Sequence, residues 1–289
     1  MDTARYRRWA LFAVLSLAVI IVTGATVRLT GSGLGCSDWP NCEHGQLAAQ
    51  LDDSPAMVEF VNRLITGIVS IAVILAVLGA HRLRPRRPDL VVLAWGLVIG
   101  VIAQILLGAL VVEETLSPKF VMAHFLVSLV LVWDAMVLHQ RASDGAVRRH
   151  GRPSSIAWLV LGAAGLVVFT GTIVTASGPH AGDLAAQRLG FTIEEVARVH
   201  GIAVIVFCAI SLWAWWVTRA PALVRLVVVI VAQAAVGYTQ YFTGVPAWLV
   251  GVHVVGAVTV WCAAVHVTQA LRPVVALDSD AEPPVAVAG

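Results

Sequence analysis

Charge is what this sequence lacks. Only 12% of its 289 residues are Asp, Glu, Lys or Arg, against 59% hydrophobic, whereas a soluble domain carries about a quarter charged residues. So few charges cannot cover a water-facing surface, which argues against a soluble globular domain and for a chain built for lipid. The net charge of +2 offers no basic face to nucleic acid. Other absences narrow the field. The first apolar run, Trp9 to Val27, is longer than the roughly 7–15 apolar residues of a signal peptide and no small-residue cleavage site follows it, so it reads as a retained span. No charges pair at mid-membrane depth and no span is visibly broken, which argues against a transporter. No Asp-rich metal-diphosphate motif stands at the end of any span, which argues against a prenyltransferase.

What the chain has instead is long apolar runs. A membrane helix needs about 20 mostly apolar residues, and eight stretches qualify: 9–27, 58–80, 90–112, 120–140, 156–176, 197–218, 222–243 and 247–270. The expected fold is an all-α polytopic membrane protein. Basic residues set its orientation. With the N-terminus inside, 14 of the 19 basic residues, from Arg5 through Arg82, Arg141 and Arg219 to Arg272, fall on the cytoplasmic side. Both termini are therefore expected in the cytoplasm.

The two halves resemble each other. Thr23-Gly24 in the first span matches Thr170-Gly171 in the fifth, and Gln104 and Gly108 in the third match Gln233 and Gly237 in the seventh. His124 in the fourth, followed by Trp133, matches His253 in the eighth, followed by Trp261. The shared order predicts two tandem four-helix bundles, a parallel repeat. The expected division is 1–140 for the first half, 141–155 for a cytoplasmic linker and 156–272 for the second half. The remainder, 273–289, is polar and proline-bearing and reads as a disordered tail.

Ionisable residues inside spans are expensive and mark function. His124, His200 and His253 each lie within about two turns of the outer end of a span. Two facing histidines on neighbouring helices are the usual way to hold a b-type haem through its axial positions, and small residues (Ala197, Gly201, Gly256) would let a flat macrocycle approach. A histidine hydrogen-bonded between helices is the plainer alternative. By the repeat, the first-half counterpart of His200 falls near Asn62. Glu59, Asn62 and Arg63 share one face at the start of the second span, either as an interfacial Glu59–Arg63 pair or as the edge of a pocket with Arg63 open to a haem propionate. Cys36 and Cys42 lie in the first outer loop, where an oxidising compartment favours a disulfide. A thiol pair exchanging with a redox partner, or zinc held with His44, are the alternatives. Cys208 and Cys262 read as buried packing residues.

These residues together resemble the haem A synthase family, whose members have eight spans in two halves. The likeness runs from about Arg8 to Arg272. It is carried by Gly31-Ser32-Gly33-Leu34-Gly35-Cys36 with Trp39-Pro40 and Cys42, by Glu59 and Arg63 opening the second span, and by histidines on spans four, six and eight. The resemblance implies a plasma-membrane oxidoreductase that converts a methyl group of haem O to the formyl of haem A by successive hydroxylations. It implies a resident haem b on His200 and His253, a substrate haem beside His124, Asn62 and Arg63, and a catalytic Glu59. It implies as partners membrane lipid, a quinone and the enzyme that makes haem O. One position departs: where the family commonly has histidine this chain has Asn62, and a carboxamide is a poor iron ligand beside imidazole. The alternative from another class is a membrane b-type cytochrome relaying electrons between quinol and a partner.

Overall fold

The computed structural model describes residues 1–36, 39–42, 46–50, 52–143 and 148–276, with the backbone alone at 148–150 and 274–276. Eight helices long and apolar enough to cross a membrane are present among them: α1 (Thr3–Leu29), α2 (Ser54–Arg82), α3 (Pro88–Glu113), α4 (Pro118–Ser143), α5 (Ser155–Ser177), α6 (Ile193–Thr218), α7 (Pro221–Phe242) and α8 (Ala247–Ala270). Each expected span lies inside one helix except the seventh, which overruns α7 by one residue, Thr243, its C-cap. The helices run past the apolar stretches because polar residues cap them. Asp2, Asp53 and Ser154 accept backbone N–H groups at the starts of α1, α2 and α5, and Thr192 with Glu195 closes a capping box on α6. These side chains satisfy N–H groups that have no partner within the helix. Proline in the first turn of α2, α3 and α7 costs nothing there, since its missing N–H would be unpaired anyway.

The helices close into two rings. In the first, α1 packs on α2 and α4, and α3 on α2 and α4; in the second, α5 packs on α6 and α8, and α7 on α6 and α8. The rings meet along a seam where α8 touches α1 and α4, and α4 touches α5. The tandem bundles expected from the repeat are therefore present. Large apolar side chains point outward, with Val92 72% and Ile99 68% exposed, as a lipid-facing surface requires and a water-facing one would not tolerate in such number.

Close approach inside the first ring comes from α3. Gly96, Gly100, Gln104 and Gly108 recur every fourth residue and so share one face. A Cβ on Gly96 would lie 2.6 Å from the Asp134 carboxylate of α4, so only glycine leaves room for it. Across the seam, Trp261 of α8 donates its indole N–H to the Leu129 carbonyl of α4 at 2.8 Å.

Two short strands add an element that periodicity did not reveal. β1 (Arg148–His150), in the stretch read as linker, pairs antiparallel with β2 (Val274–Ala276), in the stretch read as disordered tail. The Gly151 N–H, which donates to the Pro273 carbonyl at 3.0 Å, extends this ladder. A three-residue pairing between segments this distant has no sequence signature of its own. The acidic residues noted in the tail, beyond 276, lie outside the described residues.

Candidate functional site

The histidines and their partners sit toward the end of the bundle that carries the α1–α2 and α5–α6 loops. In the second ring, His200 on α6 and His253 on α8 face each other with ring centroids 6.5 Å apart and planes inclined by 67°. Thr170 of α5 fixes the His200 imidazole. Its hydroxyl lies 3.0 Å from His200 Nδ1 and also 2.9–3.0 Å from the carbonyls of Val167 and Leu166. A hydroxyl has one proton, and it goes to those carbonyls, so Thr170 accepts from His200 Nδ1–H. That tautomer leaves Nε2 with its lone pair free for a metal. His253 Nδ1 is buried with no partner among the described residues. Gln233 holds the backbone beneath it, donating to the His253 carbonyl at 2.8 Å. Glycine makes the room: a Cβ on Gly171 would lie 3.1 Å from His200 Cε1, and one on Gly237 3.1 Å from His253 Cε1.

The first ring repeats this scaffold with one imidazole missing. Thr23 of α1, the counterpart of Thr170, donates its hydroxyl to Asn62 Oδ1 at 2.8 Å. Gln104 donates to the His124 carbonyl at 3.0 Å and also bonds Ser128, as Gln233 does to His253. A Cβ on Gly108 would lie 3.6 Å from His124 Cε1, as one on Gly237 would crowd His253, while a Cβ on Gly24 would meet nothing within 4 Å. His124 Nδ1, like that of His253, is buried without a partner. One pairing read from the sequence is out of register: Trp133 and Trp261 differ by one residue relative to the histidines, about 100° around a helix. Trp261 reaches across the seam, and Trp133 packs with the second ring's core.

Beside the first ring, Cys36 and Cys42 form a disulfide with their Cα atoms 4.3 Å apart and both residues fully buried. A joined pair offers no thiolates to zinc; His44 lies outside the described residues. Glu59, 6% exposed, ties this loop to α2. One carboxylate oxygen accepts the Cys36 N–H at 2.9 Å and the other meets Arg63 Nη2 at 2.6 Å. Arg63 in turn donates to the Asn41 carbonyl at 2.8 Å. Both Glu59 and Arg63 are thus engaged by the loop and by each other.

The sequence reading confined polar chemistry to this end of the bundle, and the structure adds a buried carboxylate elsewhere. Asp134 is 8% exposed on α4, toward the end that carries the termini, and its Oδ1 and the buried Tyr6 hydroxyl on α1 have no partner among the described residues. An acidic residue inside a span was the available signal.

The second ring fits a planar iron–porphyrin. Two metal–nitrogen bonds of about 2 Å each, plus about 1 Å from each nitrogen to its ring centre, span about 6 Å, close to the observed 6.5 Å. The donor chemistry agrees: neutral imidazoles, one with its tautomer fixed by a hydroxyl. In the first ring a single imidazole faces a carboxamide, so one side of any macrocycle held there would be left without a strong ligand.

Fold and site define a membrane protein of two homologous four-helix rings, each with histidine at its heart. The chain belongs to the COX15-CtaA family of cytochrome oxidase assembly proteins, whose model matches residues 7–182. That stretch takes in the first ring and α5 and ends before His200 and His253. Relatives include proteins named heme A synthase. That of Lysinibacillus sphaericus is 33% identical over 45% of this chain and 43% of its own length. That of Listeria welshimeri is 34% identical over 42% and 40%, and that of Exiguobacterium sibiricum 28% identical over 56% and 57%. The chain thus matches about half the length of these relatives.

Proposed function

We propose that the protein is a haem A synthase, an oxidoreductase that converts a methyl group of haem O to a formyl group by successive hydroxylations. The observation that carries this reading is the repeated scaffold with a single substitution: two rings where Thr170 serves His200, one ring where Thr23 serves Asn62. A pure electron relay would fill both sites with two imidazoles; a reaction site needs one face open.

In this reading His200 and His253 hold a resident haem b. When bound, that group supplies a one-electron redox centre buried in the membrane. Thr170 keeps His200 Nε2 unprotonated and aimed inward, and the surrounding apolar helices exclude water. The substrate haem lies in the first ring, anchored by His124, with Asn62 on the opposite side able to hydrogen-bond a water or an oxygen species. Glu59, the catalytic carboxylate, stands one turn from Asn62 on the same helix. Arg63 holds it in place. The protein lies in the cell membrane with both termini in the cytoplasm, supported by the 14 basic residues on that side. A quinone takes the electrons, and haem O arrives from the enzyme that makes it.

The test is chemical. The chain is expressed in a host supplying haem O, and its pigments are extracted and identified by mass. Haem A and its hydroxylated precursor are expected. Their absence from folded, haem-loaded protein would refute the assignment. His200→Ala or His253→Ala should abolish the resident low-spin spectrum, whereas His124→Ala should keep that spectrum and stop turnover.

A further inference from the structure

The α5–α6 loop of the second ring does not stay over its own ring. Gly33, just past α1, donates its N–H to the Gly182 carbonyl at 2.9 Å, and Ala181 and Ala186 pack with Leu116 and Val121 at the α3–α4 corner. Gly182 has φ +103, and a Cβ there would come within 3.1 Å of Leu116, so glycine permits both the turn and the approach. The loop thereby caps the first ring.

Arg28, at the end of α1, is caught beneath this cap. Nε donates to the His180 carbonyl at 2.5 Å and Nη2 to the Thr175 carbonyl at 2.7 Å. Arg188 on the same loop donates to the carbonyls of Gly178 and Pro179. Neither guanidinium has a carboxylate within ion-pair distance among the described residues. Both cations are instead held by carbonyl dipoles of the 175–180 stretch, and Nη1 of Arg28 has no partner among the described residues. A narrow cleft, little wider than a water, opens at Arg28 between Val121, Ala176 and Gln187. Val121 lies one helical turn, about 5 Å, before His124. Arg28 lies five residues beyond Thr23, the partner of Asn62, in the same direction. Arg28 therefore shares a cleft with Val121 on the outer side of the first ring's histidine, one helical turn from it.

We infer that Arg28, backed by Arg188, binds a propionate carboxylate of the haem held at His124, so that the second half's loop completes the first half's site. The inference rests on the proposed function above. A guanidinium pre-positioned by two carbonyls presents its remaining N–H groups as a fork matched to a carboxylate. Arg63 does not compete for this role, because its guanidinium already bonds Glu59 and the Asn41 carbonyl.

The experiment titrates the purified full chain, in detergent and carrying its haem b, with haem O and separately with haem O dimethyl ester. The absorbance change that His124→Ala removes reports the first-ring site. Wild type is expected to bind the free acid about tenfold to a hundredfold more tightly than the ester. Arg28→Gln should bring the acid down to the ester's affinity, leave the ester unchanged and leave the resident haem spectrum intact, which serves as the control for folding. Arg28→Lys should recover part of the difference. Equal affinity of wild type for acid and ester would overturn the inference without any variant, as would an unchanged ratio in Arg28→Gln. Absence of any His124-dependent uptake of either compound would instead remove the proposed function, and this inference with it.

Discussion

Thr170→Val is the sharpest single perturbation of the second ring. Valine keeps the shape of threonine and removes only the hydroxyl, which in this structure accepts His200 Nδ1–H at 3.0 Å. The site is 8% exposed, so no bulk water replaces the lost acceptor. A buried donor left unsatisfied costs about 1–3 kcal/mol. The loss also unlocks the tautomer: His200 can then carry its proton on Nε2, the nitrogen that iron needs. Outer-shell partners of this kind typically contribute about tenfold to a hundredfold in metal affinity. The assay is transfer of haem from the purified protein to an excess of a haem-scavenging apoprotein, followed by loss of the low-spin absorbance. Thr170→Val should release haem about tenfold to a hundredfold faster. The matching change in the first ring, Thr23→Val, should leave that release rate alone, because its hydroxyl bonds Asn62 and not a ring. Equal release rates for Thr170→Val and wild type would refute the tautomer argument and the histidine pairing built on it.

Asn62→His should convert the first ring into a second bis-histidine site, since Thr23 stands ready as acceptor and the space above Gly24 is open; a second low-spin signal with reduced turnover is expected by absorption and magnetic resonance. Gly171→Ala should press a methyl to 3.1 Å from His200 Cε1 and destabilise the second ring by about 1–3 kcal/mol, whereas Gly24→Ala, with nothing within 4 Å, should fold as wild type in thermal melts. Glu59→Gln should both slow turnover and speed proteolytic cutting of the 31–53 loop, because the carboxylate bonds Cys36 N–H and Arg63 together; unchanged cutting would confine Glu59 to chemistry. Cys36→Ser with Cys42→Ser should lower stability by roughly 2 kcal/mol, the value for closing a short loop, measured as a shift in the melt of haem-loaded protein.

The eight helices were legible because length and hydropathy alone decide what can span a bilayer, and the depth of the histidines followed from counting turns. The repeat was legible in outline: Gln104 and Gln233 do take equivalent positions. What each polar group bonds was not. A threonine in a membrane helix bonds its own turn by default, so nothing in the sequence showed that Thr170 also turns sideways to His200. Arg63 stands at a span end where a cation suits a propionate or a neighbouring carboxylate equally, and only the placement of the cysteine loop shows it bonded to Glu59 and Asn41. Arg28 read as one of five basic residues on the outer side. Its meaning depends on a loop that begins about 150 residues later in sequence, a contact no local pattern encodes. Asp134 was visible as an acid in a span but its glycine partner, Gly96, lies on another helix.

The difference between the rings bears on how one scaffold serves two purposes. In the second ring every element pushes toward closure: Thr170 orients one imidazole, and Gly171 and Gly237 leave room for both where a Cβ would come within 3.1 Å. The first ring keeps threonine, glutamine, glycine and one histidine and replaces the other histidine with Asn62. Asparagine there is not a vacancy, because its carbonyl oxygen is satisfied by Thr23 and its burial therefore costs little. That bond directs the oxygen of Asn62 to α1 and leaves its amide N–H groups as donors. Donors aimed at a bound macrocycle would favour an oxygen ligand over a nitrogen one, which only accepts. A second imidazole at this position would have to be displaced before an iron bound on His124 opened on its other face. With Asn62 there, the proposed function predicts a first-ring site that needs no ligand loss for reaction and holds its substrate chiefly through His124.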